Sequence, residues 1–396
     1  MQHVFIVGAK GIPAQYGGFE TFVEKLTEYQ KDENIKYHVA CIKTKKDYKP
    51  EEAEYEHNGA HCFTLCERTK GSSRAIFYDI DALKYSIKYI KEHNIERPII
   101  YILACRIGPF IRKYRKKIHK LGGELYVNPD GNEWKRAKWN RWIRKYWKIS
   151  EKKMVKNADL MICDSKGIES YIKSEYKKYE PKTTYIAYGA ETKKSTLELN
   201  DSKVANWFTE NEISPYMYYL MVGRFVPENN FARIIYEFLH SKTQKDLVII
   251  TDGIGSKFYR ELEKEFHFKA DERIKFIEAT YDQELLKKIR EFAYGYIHGH
   301  SVGGTNPSLL EAMGLTRLNL LYDVSYNAEV GGDGALYWKH EFGLLRTMLV
   351  RCDEMSPNEI YKYATKARER ITDFYSWEII RDKYEKLFLE GTRGSS

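Results

Sequence analysis

The chain has no run of about 18 apolar residues, so no segment of it is expected to span a membrane. Its first residues lack the charged and apolar regions of a signal peptide, and a cytoplasmic protein is expected. No GK[ST] phosphate loop occurs, which excludes a P-loop nucleotide hydrolase. Nothing resembles a Ser–His–Asp arrangement, and no internal repeat or low-complexity tract is found. Cysteines are few and scattered, at Cys41, Cys62, Cys66, Cys105, Cys163 and Cys352, several inside strand-like runs. That usage suits reduced thiols and not a disulfide framework. His57, His61, Cys62 and Cys66 match no standard zinc spacing.

What is present is a globular composition, 43% hydrophobic over 396 residues, long enough for two domains. Domains of roughly 180–200 residues are the expectation at this length. Strand-like runs include 3–8, 37–42, 98–103, 123–128, 160–164 and 183–188. After a polar stretch, 190–214, come 218–223, 246–251, 274–279 and 295–299. Helical periodicity lies between most of them, as in 79–93, 230–240, 256–266 and 282–293. Such alternation predicts an α/β fold of two Rossmann-like domains with parallel sheets facing across a cleft. The expected boundaries are 1–190 and 191–375, with a C-terminal helix over 376–390 packing back toward the first domain. The closing GTRGSS is left out of this reading.

Two glycine-rich loops carry most of the functional signal. HVFIVG, 3–8, leads into AKGIPAQYGG and an amphipathic helix with Phe19, Phe22, Val23 and Leu26 on one face. The spacing of Gly8, Gly11, Gly17 and Gly18 is not the dinucleotide fingerprint. The second loop, GHSVGGTNPSLLEAMG over 299–314, reads as a strand end, a glycine loop and a helix carrying Glu311. Amide groups at a helix N-terminus favour a phosphate, and Glu311 two turns on could accept hydrogen bonds from a ribose. Parallel sheets bind ligands beyond the carboxyl ends of their strands, where both loops fall.

Weaker signals remain open between two readings. Asp79-Ile80-Asp81 formally spells the D-x-D of metal-dependent transferases, yet it falls where a helix is expected to open, a place that suits acidic residues. Asn128 and Asp130, in the turn NPDGN after GELYV, could face a substrate or form an ordinary Asp-Gly turn. Asp164, closing LMICD, could contact substrate or cap the helix that begins at Lys166. The net charge of +9 is concentrated between Arg106 and Lys156, with Trp134, Trp139, Trp142 and Trp147 interleaved. A basic, aromatic helix over 134–148 could dock on anionic lipid, present a merely solvated face, or hold single-stranded nucleic acid, the last being disfavoured.

VGRFVPENN (222–230), IITDGIGS (249–256), IEATYDQELLKKI (277–289) and GHSVGGTNPSLLEAMG occur in an order and spacing similar to those of glycosyltransferase family 4. IVGAKGIPAQYGGFETFVEKL and VNPDGNEWKRAKW (127–139) resemble its rhamnosyltransferase branch. The resemblance covers roughly residues 3–390. It implies the GT-B fold, a retaining transferase, and a nucleotide-sugar donor held mainly by the C-terminal domain. The narrower branch implies dTDP-L-rhamnose and a lipid-diphosphate-linked sugar, in cell-wall or capsule assembly at the inner face of the membrane. No metal is implied. Donor contacts would come from Gly17, Gly18, Arg224, Asp252, Gly303, Gly304, Thr305, Asn306 and Glu311. Glu20 or Asp130 would orient the acceptor hydroxyl, and Arg224 would stabilise the departing diphosphate.

Two positions depart from that pattern. The first carboxylate of the family's E-x7-E pair is replaced by Gly303, and the phosphate-binding lysine by Asn229. A 6-deoxy sugar offers one hydroxyl fewer, which is compatible with the first loss. A UDP- or GDP-sugar donor with another acceptor, or a catalytically silent scaffold, are the alternatives these departures leave.

Overall fold

The computed structural model describes residues 1–15, 17–69, 71–135 and 139–391. The chain divides into two compact units, Met1–Gly189 joined by the segment from Trp377 onward, and Ala190–Ser376.

The first unit is built on eight strands: β1 (Gln2–Val7), β2 (Ile35–Lys43), β3 (Glu54–His57), β4 (Ala60–Cys66), β5 (Ile99–Leu103), β6 (Glu124–Asn128), β7 (Leu160–Cys163) and β8 (Thr183–Tyr185). Their order is β3-β4-β2-β1-β5-β6-β7-β8, parallel except for the β3–β4 hairpin. Every residue of β5 is buried, as a central parallel strand covered on both faces requires. Tyr78, Leu83, Ile87 and Ile90 of the helix Arg74–Glu92 cover one face. The C-terminal helix Trp377–Glu390 covers another part of this unit, with Tyr384 against Phe22 and Phe388 against Tyr37, Tyr101 and Tyr126. Glu385 of that helix accepts the Lys31 amide at 2.7 Å.

The second unit holds β9 (Tyr218–Val222), β10 (Asp246–Thr251), β11 (Ile274–Glu278), β12 (Gly295–His298), β13 (Leu318–Tyr322) and β14 (Leu336–Trp338). Its order is β11-β10-β9-β12-β13-β14, parallel throughout. Both units are therefore Rossmann-like, with the order of strands reversing at β1 and at β9. Ligands of open parallel sheets bind at such a reversal, beyond the carboxyl ends.

Three expected elements differ. The helix expected over 79–93 starts at Arg74, five residues earlier, so Asp79 and Asp81 lie inside it and not at its dipole. The helix expected over 134–148 is a short 3-10 turn, Glu133–Lys135, followed by a helix Arg141–Asn157 capped by Asn140. Residues 136–138 of that segment lie outside the described ones. The run 183–188 is a strand only as far as Tyr185. The hairpin β3–β4, the strand β13 and the edge strand β14 were not expected, being short or mixed in polarity.

Candidate functional site

In the second unit the carboxyl ends of β9 and β12 carry two loops, 223–230 and 299–306. Amide side chains stitch them together. Asn229 donates to the Arg224 carbonyl at 2.8 Å, and its Oδ1 lies 2.9 Å from His300 Nδ1. Asn230 donates to the Gly299 carbonyl at 2.7 Å, and the Ser301 amide and hydroxyl both donate to the Glu228 carbonyl. A Cβ on Gly299 would lie 2.1 Å from the Asn229 carbonyl oxygen, so only glycine permits this approach. Asn229 is thus a brace between the loops. Asn327 adds a further tie, donating to the carbonyls of His300 and Tyr322.

Arg224 is exposed and makes no ion pair among the described residues, which leaves its guanidinium available to an anion. Asp252 is likewise exposed, just past β10. Gly303 and Gly304 precede the helix Pro307–Leu315, whose cap is Asn306; its Oδ1 accepts the Ser308 amide at 2.9 Å. Thr305 is buried. Glu311 is 30% exposed and receives Arg290 Nη2 at 2.6 Å on Oε2, while Arg290 itself is only 2% exposed. The buried guanidinium fixes one oxygen of this part-exposed carboxylate. His298, at the end of β12, is held neutral by burial.

In the first unit the corresponding loop follows β1. Gly8 has φ +113° and a Cβ there would lie 2.4 Å from the Leu103 carbonyl oxygen, so the chain can turn beside β5 only without a side chain. The helix Gly18–Glu28 then begins without a side-chain cap, leaving its first amides to other acceptors. No atom would stand within 4 Å of a Cβ on Gly18, whereas on Gly17 it would collide with the Glu20 carboxylate. Glu20 is buried and accepts the Lys10 amide at 2.7 Å. One oxygen of its carboxylate thus braces the loop.

Arg106, three residues past β5, was not singled out from the sequence beyond marking the start of the basic run. It donates to the Gly8 carbonyl at 2.8 Å, stacks over Phe19 at 5.9 Å, and pairs with Asp79 at 3.4 Å. Burial raises the Asp79 pKa to about 6, against the opposing pull of Arg106. Asp79 is therefore a buried counter-charge and has no free face for a metal; Asp81 instead bridges Arg68 and Lys84, each at 3.0 Å. The signal for Arg106 was its position, a cation three residues past a fully buried strand.

Asn128 closes β6 and accepts the Asp130 amide at 2.8 Å; Asp130 adopts φ +56° and accepts the Gly131 amide. Asp164 is buried at the end of β7, but the cap of the following helix is Ser165, which accepts the Ile168 amide at 3.1 Å. The capping reading of Asp164 is corrected accordingly. Lys148 leaves the proposed lipid-facing set: it pairs with Glu175 at 2.8 Å and lies over Trp134 at 4.5 Å. Arg141, Arg144, Lys145 and Trp142 remain exposed. Among the described residues no helix is long and apolar enough to cross a membrane, and no cluster of His, Cys, Asp or Glu could hold a metal ion.

A family model described as a domain of unknown function, DUF1972, matches residues 1–191. No curated protein matches the sequence. Among solved structures, a sucrose-phosphate synthase from Thermosynechococcus elongatus aligns with a TM-score of 0.80 at 16% identity, over 98% of this chain and 99% of that one. Trehalose-6-phosphate from E. coli bound with UDP-2-fluoro glucose gives 0.73 at 11% identity, over 99% and 100%. HepE from Anabaena in complex with UDP gives 0.68 at 11%, over 99% and 100%. At these identities the likeness is one of fold, and the fold of this chain is GT-B.

Proposed function

We propose that the chain is a retaining glycosyltransferase that uses a nucleotide diphosphate sugar and no metal. The observation that carries this reading is Arg224, exposed and without an ion pair among the described residues, on a loop stitched to the glycine loop 299–306. The donor's diphosphate lies against Arg224 and the amides of Gly303, Gly304 and Thr305, and Glu311 Oε1 accepts from the ribose. Gly17 and Gly18 let the uncapped helix of the first unit approach a phosphate. In the reaction the bond from the sugar's anomeric carbon to phosphate breaks and one to the acceptor oxygen forms on the same face. The acceptor proton passes to the leaving phosphate, whose charge Arg224 stabilises. Asp130, Asn128 and Asp164 face the acceptor.

The donor is dTDP-L-rhamnose and the acceptor a lipid-diphosphate-linked sugar in cell-wall or capsule assembly, at the inner face of the plasma membrane. The resemblance of 6–26 and 127–139 to rhamnosyltransferases supports this choice, and Gly303 suits a sugar with one hydroxyl fewer. Exposed Arg141, Trp142, Arg144 and Lys145 of segment 134–148 are offered to anionic lipid. A UDP-sugar donor is the second reading, favoured by the UDP and UDP-2-fluoro glucose in two similar structures. Calorimetry with dTDP, UDP and GDP, and transfer assays with the matching sugars in excess EDTA, separate them. Arg224→Gln should lower dTDP affinity by more than tenfold, as loss of a charge-assisted bond worth about 1.5–3 kcal/mol implies. Its melting temperature should stay that of the wild type. Unchanged affinity, or binding of no nucleotide by the wild type, overturns the proposal.

A further inference from the structure

The first unit carries an open groove of about 810 Å³ between the helices Arg74–Glu92 and Gly108–Lys120. Its volume is in the range of small-ligand sites. The apolar part is made by Ile80, Pro109 and two exposed rings, Phe77 at 39% and Phe110 at 46%. Around it stand Arg68, Lys84, Arg112, Lys113 and Lys116. Arg68 and Lys84 share the single carboxylate of Asp81. Arg112, Lys113 and Lys116 make no ion pair among the described residues.

An ordinary solvated helix mixes charges of both signs, but Gly108–Lys120 contains no acidic residue at all. Arg112 and Lys116 stand at i, i+4, where like charges repel on a helix surface. Fixed repulsion beside two uncovered phenylalanines is a cost that an anionic amphiphile would relieve on both counts. A single strand of nucleic acid needs an extended track of cations and stacking rings. Here the cations surround one compact groove.

We propose that this groove seats the phosphate headgroup of an anionic phospholipid and docks the first unit on a bilayer surface. Arg112, Lys113 and Lys116 bind the phosphates, while Phe77 and Phe110 enter the headgroup boundary. The site lies on other residues than 134–148, and it stands without the glycosyltransferase reading.

The test is sedimentation of the full chain with phosphatidylglycerol vesicles and with phosphatidylcholine vesicles. The wild type should bind the anionic vesicles and not the neutral ones. Changing Arg112, Lys113 and Lys116 together to Gln should weaken binding by on the order of a hundredfold, since each cation near an anionic surface is worth about fivefold. Phe77→Ser with Phe110→Ser should weaken it without altering the net charge. All five residues are exposed, and an unchanged thermal melt verifies that the variants fold. The proposal is overturned if the wild type ignores anionic vesicles, or if the triple variant binds as the wild type does. It is overturned equally if the phenylalanine pair has no effect. If single-stranded RNA binds more tightly than the vesicles and only RNA binding is lost in the triple variant, the partner is nucleic acid and the lipid assignment fails.

Discussion

Around Gly8 the first unit ties its loop with ionisable groups: Glu20 on the Lys10 amide, Glu24 on the Ala14 amide, Arg106 on the Gly8 carbonyl and on Asp79. Around Gly299 the second unit ties its loops with the amides of Asn229, Asn230 and Asn327. Both arrangements hold glycine turns at the ends of parallel strands, but the first is tied by carboxylates and a guanidinium and the second mainly by neutral amides. Charged ties are stronger and need counter-charges under them, which is why Asp79 is buried in the middle of a helix. Amide ties add no charge of their own to the loop that carries Arg224. The contrast says that the first loop is held mainly by charge and the second mainly by neutral hydrogen bonds, with the His300 ring against Asn229 an ionisable member of the second set.

The largest effect should come from Arg106→Met. It leaves the fully buried Asp79 without its partner, and breaking a buried pair costs about 3–5 kcal/mol. Burial already raises the Asp79 pKa to about 6, and without Arg106 it rises further. A carboxyl whose folded pKa is raised destabilises above that pKa, and stability returns as pH falls through it. Chemical denaturation at pH 8 and pH 5 should show a smaller penalty at pH 5. Equal penalties would break the claim that charge governs the first loop.

Next in size is the acid response of the first sheet. His3, His38 and His61 form a chain across β1, β2 and β4, with contacts of 2.9 Å on either side of His38. Burial, then repulsion from its two neighbours, lowers the His38 pKa to about 2. The unfolded chain takes up a proton below about pH 6.5 while the folded one does not, so stability is lost as pH falls from there. At 1.36 kcal/mol per unit, about 2 kcal/mol should disappear between pH 6.5 and 5. His38→Asn should remove that slope, whatever it costs at neutral pH.

A smaller change, about 1–2 kcal/mol, is expected for Asn229→Ala, which unties the second-unit loops. This loss should change less between pH 8 and pH 5 than that of Arg106→Met, although Asn229 also meets the His300 ring. A loss that varies as much with pH as that of Arg106→Met would erase the distinction between the two units. The least effect should follow Glu284→Gln. Lys287 first, then the Thr196 amide, holds that exposed carboxyl down at about 2. Its contribution is present above about pH 4.5 and lost as pH falls toward 2. The variant should match the wild type in acid and fall slightly short at neutral pH, in a denaturation series.

Glu311 shows how a site can be half legible. Its distance from Gly303 and Gly304 marked it in the sequence, because a helix following a glycine loop fixes where a carboxylate two turns on must stand. Arg290, which holds one of its oxygens, lies 21 residues away on another helix and had no mark. Truncating Glu311 to Ala therefore strips a buried cation as well as a ligand contact, and Arg224→Gln is the cleaner probe. The same holds for Asp79 and Asp81, whose D-x-D pattern is local while the fate of each carboxylate is decided by Arg106, Arg68 and Lys84.

Alternating apolar runs and helical periods by themselves determined the α/β class, most of the central strands and the place of both glycine loops. These are local properties, since a buried parallel strand must be apolar on both faces and a tight turn needs a residue without Cβ. The helix start at Arg74, the strands β13 and β14, and the division of 134–148 were decided by the tertiary structure. So were the pairing of Arg106 with Asp79, the bracing by Asn229, and the groove beside Phe77 and Phe110. Each depends on what residues distant in sequence place opposite a side chain, and burial and pairing energies are set by that neighbour and not by the chain on either side.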